Sequence, residues 1–122
     1  MTARQIVNNA LKLLGYTDAN GNSELPQRIL NKAVPLINVI YSELARIESV
    51  LDFEPIKTLN DKIKLTERVL SEIMPAGVAM LIAASEEDGV SEALWAEIYN
   101  RKKVTLSRFE EKQDSIPRSF DL

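Results

Sequence analysis

The feature that most restricts this fold is a run of twelve residues, Ile73 to Ala84, in which no side chain is charged or forms hydrogen bonds. A helix formed by such a run is apolar on every side, so other elements must cover it all round. Crossing a membrane takes roughly 20 apolar residues. This run is shorter and ends in an acidic cluster. We therefore predict a central helix buried inside a helical domain, without membrane contact.

Chain length and residue types limit both organisation and chemistry. With 122 residues the chain can form one ordinary core, and we predict a single helical domain over residues 1–112 and an extended tail over 113–122. The absence of cysteine and histidine excludes Ser-His-Asp and Cys-His catalysis and the usual zinc sites. We therefore predict no enzymatic activity, no catalytic residue, no metal and no cofactor.

The first helix has clear signals at both ends. Thr2 followed by Gln5 fits a capping box, and Gly15 offers a C-terminal stop. These signals predict a helix from about Ala3 to Leu14. The polar stretch from Tyr16 to Ser23 is rich in Asp, Asn and Gly, so it is predicted to be a loop.

The second helix is predicted to begin near Ser23 or Pro26 and to extend to Val50. Pro35 inside it removes one backbone hydrogen bond and should kink the axis, and the alternative is a break into two helices. A kink is favoured because the apolar stripe keeps its phase across Pro35. The stripe consists of Ile29, Ala33, Leu36, Ile40, Leu44, Ile47 and Leu51.

Between Pro55 and Leu65 the apolar period changes from helical to alternating. With Asn60 and Asp61 at a turn, Ile56, Thr58, Ile63 and Leu65 would face one side and the lysines the other. This pattern predicts a short β-hairpin between helices two and three. An irregular loop is the alternative.

The third helix is predicted from an N-cap at Thr66 to Asp88, with a kink at Pro75. Gly77 and the alanines around it allow neighbouring helices to approach closely. Ser91 is predicted to cap the fourth helix. The predicted inward face of that helix comprises Leu94, Trp95, Ile98, Leu106 and Phe109.

Two groups of side chains remain outside these elements. The carboxylates Glu86, Glu87, Asp88 and Glu92 are interpreted as solvated charge, because neighbouring residues at a helix end point in different directions. The tail carries the apolar residues Ile116, Pro117, Phe120 and Leu122 without helical spacing. These tail residues need another surface, either on this domain or on a partner.

Two features stand together in the second half of the chain. One is the small-residue segment MPAGVAMLIAASEEDG at residues 74–89, and the other is the pattern W-x-x-x-Y-N at residues 95–100. They follow a helix ending in LLG and a long helix reading ILNKAVPLINVIYSELA. This order resembles the small head-tail connector proteins of tailed bacteriophages, also called adaptor or head-completion proteins. The resemblance covers most of the chain.

The resemblance implies a non-enzymatic structural protein, encoded by a phage or prophage, that forms a ring between portal and tail and extends the DNA channel. Its implied partners are copies of itself, joined on assembly, together with the portal protein and tail or stopper proteins. DNA would pass nearby without specific binding. The implied location is the bacterial host cytoplasm during assembly and then the virion neck. In this family a terminal extension often docks on the portal. Ile116, Pro117, Phe120 and Leu122 are therefore predicted to bind a partner, and Glu86, Glu87, Asp88 and Glu92 to face the channel or solvent.

Two other classes of protein stay open. One is a helical scaffolding or regulatory module of the bacterial cytoplasm with no virion role, whose tail packs on its own core. The other is a nucleic-acid binder that uses Arg101, Lys102, Lys103 and Arg108. The formal net charge of −3 argues against it, because phosphate binding needs clustered cations. Trp95 and Tyr99 are likewise more typical of a core than of a base-stacking platform.

Overall fold

The computed structural model describes residues 1–17, 20 and 25–115, with side chains up to residue 111. Within these ranges the chain is mainly helical and has no β-strand. The four helices are α1 (Ala3–Leu13), α2 (Gln27–Ile47), α3 (Met74–Ser85) and α4 (Gly89–Ser115), and a π-helical turn at Val69–Ile73 leads directly into α3. The predicted set of four helices is confirmed. Because α4 continues to Ser115, residues 113–115 are helical and not part of an extended tail.

Helix α3 is the centre of the fold, as its uncharged sequence predicted. It packs against α1, α2 and α4, and every residue from Met74 to Ala79 is buried. The longest side chains further along, Met80 and Leu81, are only partly covered, while Ile82 is again fully buried. Removing the apolar surface of this segment from water is favourable, and this hydrophobic effect stabilises the packing of the other helices around it.

The closest approach to α3 is made by the ring of Tyr99 from α4. A Cβ atom built on Gly77 would lie 2.8 Å from Cε1 of Tyr99 and 3.0 Å from Cδ1 of Ile40. Real Cβ atoms do not come so close to other atoms, so only glycine lets both side chains reach the α3 backbone. The predicted close approach at Gly77 is thus present, and it places a fully buried Tyr99 between α2, α3 and α4.

Three helices end in the same way, with a residue in the left-handed region whose own N–H and that of the next residue donate to carbonyls of the last helical turns. Gly15 has this role in α1, with φ of 86°, as predicted. Ser49 and Glu87, both with φ of 57°, have it in α2 and α3.

The predicted ends of helices two and three, at Val50 and Asp88, are therefore wrong. Sequence reasoning ran past the true ends at Ile47 and Ser85 because no glycine marks them. As a consequence Leu51, predicted to continue the apolar stripe, is 98% exposed.

The two prolines inside predicted helices have different outcomes. Helix α2 continues through Pro35, which excludes the alternative of two separate helices. Proline has no N–H to donate to the carbonyl four residues earlier in the helix. Because Pro35 is exposed, water can hydrate that carbonyl instead. At Pro75 the distortion lies just ahead of the proline, where the N–H of Met74 bonds to the carbonyl of Val69 in a wide π turn. This turn relieves the clash that a proline ring makes with the preceding helical turn.

The start of the fourth helix was predicted incorrectly. Helix α4 begins at Gly89, and the carboxylate of Asp88 accepts the N–H of Ser91 at 3.1 Å. Ser91 therefore lies inside the first turn of α4, and Asp88 is the residue whose side chain caps this helix. The hydrogen bonds from the hydroxyl and N–H of Ser91 lower the pKa of Asp88. The predicted inward face is also only partly right, since Leu94 and Phe109 are about half exposed.

The predicted β-hairpin does not form. Asp61 folds the segment into a turn instead, because its carboxylate accepts the N–H groups of Lys57 at 2.8 Å and Thr58 at 3.1 Å. These two backbone hydrogen bonds lower the pKa of Asp61. Thr58, predicted to face the core, is exposed, whereas Ile56 and Ile63 are buried as predicted.

The backbone of this loop pairs with the N-terminus. The N–H groups of Ala3 and Arg4 donate to the carbonyls of Asp61 and Leu59, both at 2.9 Å. These N–H groups belong to the first turn of α1, where no partner exists within the helix. An isolated two-stranded hairpin is only marginally stable in water. The loop carbonyls instead accept the N–H groups of the helix end, which would otherwise lack a partner.

Substitution Gly77→Ala tests the close contact with Tyr99. In an open helix this change is favourable by about 1 kcal/mol. Here the added methyl group collides with Tyr99 and Ile40, and we expect a net loss of about 1–3 kcal/mol in the free energy of unfolding. Denaturant unfolding measures the change. Gly89→Ala is the matched control, because nothing lies within 4 Å of its Cβ position. Equal stability of the two variants would contradict the contact.

Substitution Ser49→Gly tests the left-handed end of α2. A side chain in this conformation costs about 1–2 kcal/mol, part of which returns as extra backbone entropy of glycine in the unfolded chain. We expect a gain of up to about 1 kcal/mol, measured as a rise in the denaturant midpoint. Ser42→Gly, inside α2, is the control and should lose about 0.5 kcal/mol. A loss at both positions would show that Ser49 is not strained.

Candidate surfaces for assembly

The predicted acidic cluster is divided by the structure. Glu86 is drawn back to α2, where its carboxylate lies 2.6 Å from Nη2 of Arg28 and 3.1 Å from Nζ of Lys32. Its side chain is only 15% exposed, so most of it is covered by the protein. Hydrogen bonds from Lys32 and Arg28 lower its pKa. Glu86 therefore fixes the end of α3 to α2.

The other members of the cluster form a surface that we call the acidic corner. It consists of Glu87, Asp88 and Glu92 with the apolar residues Val90 and Leu94, at the turn from α3 into α4. All five are exposed, and Val90 is 84% exposed. A corner that combines three carboxylates with two uncovered aliphatic side chains suits contact with another molecule better than contact with water alone.

A second surface, which we call the basic groove, runs between α1, the start of α3 and α4. It joins two adjoining cavities of about 240 and 480 Å³ that share Glu72 and Lys102. Its apolar lining includes Leu13, Ile73, Trp95, Leu106 and Phe109.

The charge of this groove is opposite to that of the whole chain. Lys12, Arg68, Arg101 and Lys102 line it against the single carboxylate of Glu72. Arg68 pairs with Glu72 at 3.3 Å, and Arg101 pairs with Glu97 outside the groove at 2.7 Å. Both pairs are exposed, so exchanging them for carboxylates of another molecule costs little. An acidic and partly apolar surface would therefore fit this groove.

The basic run at Arg101, Lys102 and Lys103 does not act as one patch. Arg101 and Lys102 face the groove, but Nζ of Lys103 lies 3.1 Å from the Glu43 carboxylate and 4.8 Å from the centre of the Tyr99 ring. The Tyr99 hydroxyl donates to the other oxygen of Glu43 at 2.5 Å. This cluster holds α4 on α2, and so sets the position of the groove.

The pKa values of the cluster follow from these contacts. Burial of Glu43 opposes ionisation, but hydrogen bonds from Tyr99 and Lys103 outweigh it and lower the pKa of Glu43. Burial, followed by the bond to Glu43, raises the pKa of Tyr99 far above its usual range. The prediction that Tyr99 belongs to the core is confirmed, while Trp95 is partly buried and also lines the groove.

The predicted partner-binding residues Ile116, Pro117, Phe120 and Leu122 lie outside the residues that the structure describes. Sequence reasoning did not identify the basic groove. Its cations come from three separate elements, and the only local signal was the run from Arg101 to Lys103.

Comparisons with known proteins add no constraint: no protein-family model, curated protein or solved structure matches the chain. No helix among the described residues is long and apolar enough to cross a membrane. In the same part of the chain, no three acidic side chains are grouped so that they could hold a metal ion.

Substitution Tyr99→Phe tests the Glu43 cluster. Because the Glu43 side chain is 39% exposed, we expect the lost hydrogen bond to cost about 1 kcal/mol at neutral pH. The unfolded chain ionises this tyrosine near its ordinary pKa of 10.0, whereas the folded protein keeps it neutral. The stability advantage of the wild type over Tyr99→Phe should thus be complete below pH 10 and decline as pH rises above it.

Urea denaturation of both proteins between pH 7 and pH 11 measures this difference, and subtraction removes the titration of all other groups. A constant difference across that range would contradict the assigned protonation of Tyr99. Tyr41→Phe is the control for loss of a buried tyrosine hydroxyl, since its oxygen accepts the N–H of Lys64 at 3.1 Å instead of bonding to a carboxylate.

Proposed function

We propose that this protein is a non-enzymatic structural subunit of a bacteriophage or prophage head-tail connector, which forms a ring between portal and tail. The order of its segments, described above, motivates the proposal. The observation that carries it is that α4 has a side packed into the core and also several apolar side chains exposed to solvent. One side of this helix buries Tyr99 in the core, while Val90, Leu94, Val104 and Phe109 are about half exposed or more.

An exposed apolar set on a well-packed helix is typical of a surface that other proteins cover. Helix α4 has 27 residues and is about 40 Å long, so it can contact more than one neighbour. A ring needs two different patches on each subunit, because its contacts are heterologous. The acidic corner and the basic groove are two such patches.

The chain's net charge of −3 also suits a conduit for DNA. Negative subunits repel phosphate groups, so DNA can pass without being held. On this proposal the protein assembles in the host cytoplasm and ends in the virion neck.

The direct test is the mass of the protein alone and after mixing with the portal protein encoded in the same genome. We expect a complex in which several copies join one portal assembly. A portal preparation that gains no mass would favour the alternative, a helical scaffolding or regulatory module with no virion role.

The tail provides a more specific prediction. Removing residues 116–122 spares all of α4, and we expect a folded domain that no longer joins the portal, because Ile116, Pro117, Phe120 and Leu122 are lost. Phe120→Ser should weaken joining in the same direction, and Ser119→Ala is its matched control. Far-ultraviolet circular dichroism checks the fold and mass measurement checks assembly. Normal assembly of the truncated chain would exclude the tail as the anchor.

A further inference from the structure

We propose that the acidic corner of one subunit docks into the basic groove of the next, so that copies of this chain join head to tail. The inference deepens the proposed function, on which its expectation of a closed ring rests. It assigns each of the two surfaces described above a partner, namely the other surface on a second copy.

Charge complementarity supports this pairing. The corner offers the carboxylates of Glu87, Asp88 and Glu92, and the groove offers four cations against one carboxylate. The groove therefore offers the carboxylates of a second copy an attractive field, which also favours one orientation of approach.

Apolar surface on both sides complements the charge. Val90 and Leu94 project from the corner, and the groove is lined by Trp95, Leu106 and Phe109. Bringing these side chains together removes apolar area from water, which stabilises the contact, while the charged rim selects the partner.

The corner and the groove meet on α4 where Leu94 precedes Trp95, but their outer parts are far apart. Val90 of the corner and Thr105 of the groove are fifteen residues apart, which separates them by about 22 Å along a continuous helix, so Val90 cannot reach Thr105 of its own subunit. The contact must therefore form between copies. Because the two patches differ, each copy added in this way leaves one patch of each kind unoccupied, and the contacts continue as a filament or, as the proposed function expects, close into a ring.

Thiol cross-linking tests the contact directly, because the chain contains no cysteine. Val90→Cys on the corner and Thr105→Cys at the groove, combined in one chain, should give a ladder of oligomers with a flexible bis-maleimide in concentrated solution. Each single variant should stop at a low background of dimers. Leu51→Cys with Thr105→Cys is the matched control. Leu51 is 98% exposed, but it follows the C-terminal end of α2, whereas the corner lies near the N-terminal end of that helix.

Charge reversal then tests the pairing. Glu87→Lys with Glu92→Lys in the Val90→Cys chain, or Lys102→Glu in the Thr105→Cys chain, should each slow cross-linking roughly tenfold between the two chains. Mixing the two reversed chains should restore the rate. Circular dichroism confirms that each variant is folded.

The outcomes separate this contact from the proposed function. A ladder that depends on both thiols and on opposite charges supports the contact, whether or not it closes into rings. Val90→Cys chains that dimerise with each other as fast as with Thr105→Cys chains indicate a two-fold contact and overturn it. Cross-linking no faster than the Leu51→Cys control also overturns it. Neither of these negative results decides the portal-binding test, which uses the unmodified chain.

Discussion

The contact between Gly77 and Tyr99 is the constraint on which the arrangement of helices depends. With no side chain at Gly77, the aromatic ring of Tyr99 rests on the α3 backbone, and Ile40 of α2 reaches the same point. The hydroxyl of Tyr99 then bonds to Glu43, so one residue of α4 is fixed to two other helices at once. Since α4 carries the acidic corner and one wall of the basic groove, their positions follow from this contact.

The irregular segment between α2 and α3 is held by side chains of α2 and of its C-cap residue, Glu48, which bind its backbone groups. Asn38 donates to the carbonyl of Ile56 and accepts its N–H, at 3.0 and 2.8 Å. Glu48 accepts both the N–H and the hydroxyl of Thr66, each at 3.0 Å. A loop whose polar groups are satisfied in this way needs no β-sheet to be well ordered. This arrangement explains how a chain with alternating apolar residues can avoid forming strands.

The acidic side chains fall into two groups, those bonded within the domain and those left at the surface. Glu43 and Glu86 are used within the domain, each bonded to α4 or α2, and their lowered pKa values reflect these bonds. Glu87, Asp88 and Glu92 remain at the surface, as do most cations of the groove. Except for Asp88, which also caps α4, the carboxylates that hold the subunit together are thus distinct from those proposed to join subunits. Such a division lets assembly respond to partners without changing the fold.

The sequence by itself determined which segment is buried, how many helices form and where α1 begins and ends. These properties follow from local signals: the uncharged run from Ile73 to Ala84, apolar residues at helical spacing, and the capping residues Thr2, Gln5 and Gly15. Tertiary structure decided the ends of α2 and α3, where Ser49 and Glu87 adopt left-handed conformations that their residue types do not signal. It also decided the pairing of the 56–65 loop with the N-terminus, and it brought together the groove from three separate elements. Periodicity and capping act between residues a few positions apart, whereas these features depend on which distant groups meet when α3 is covered.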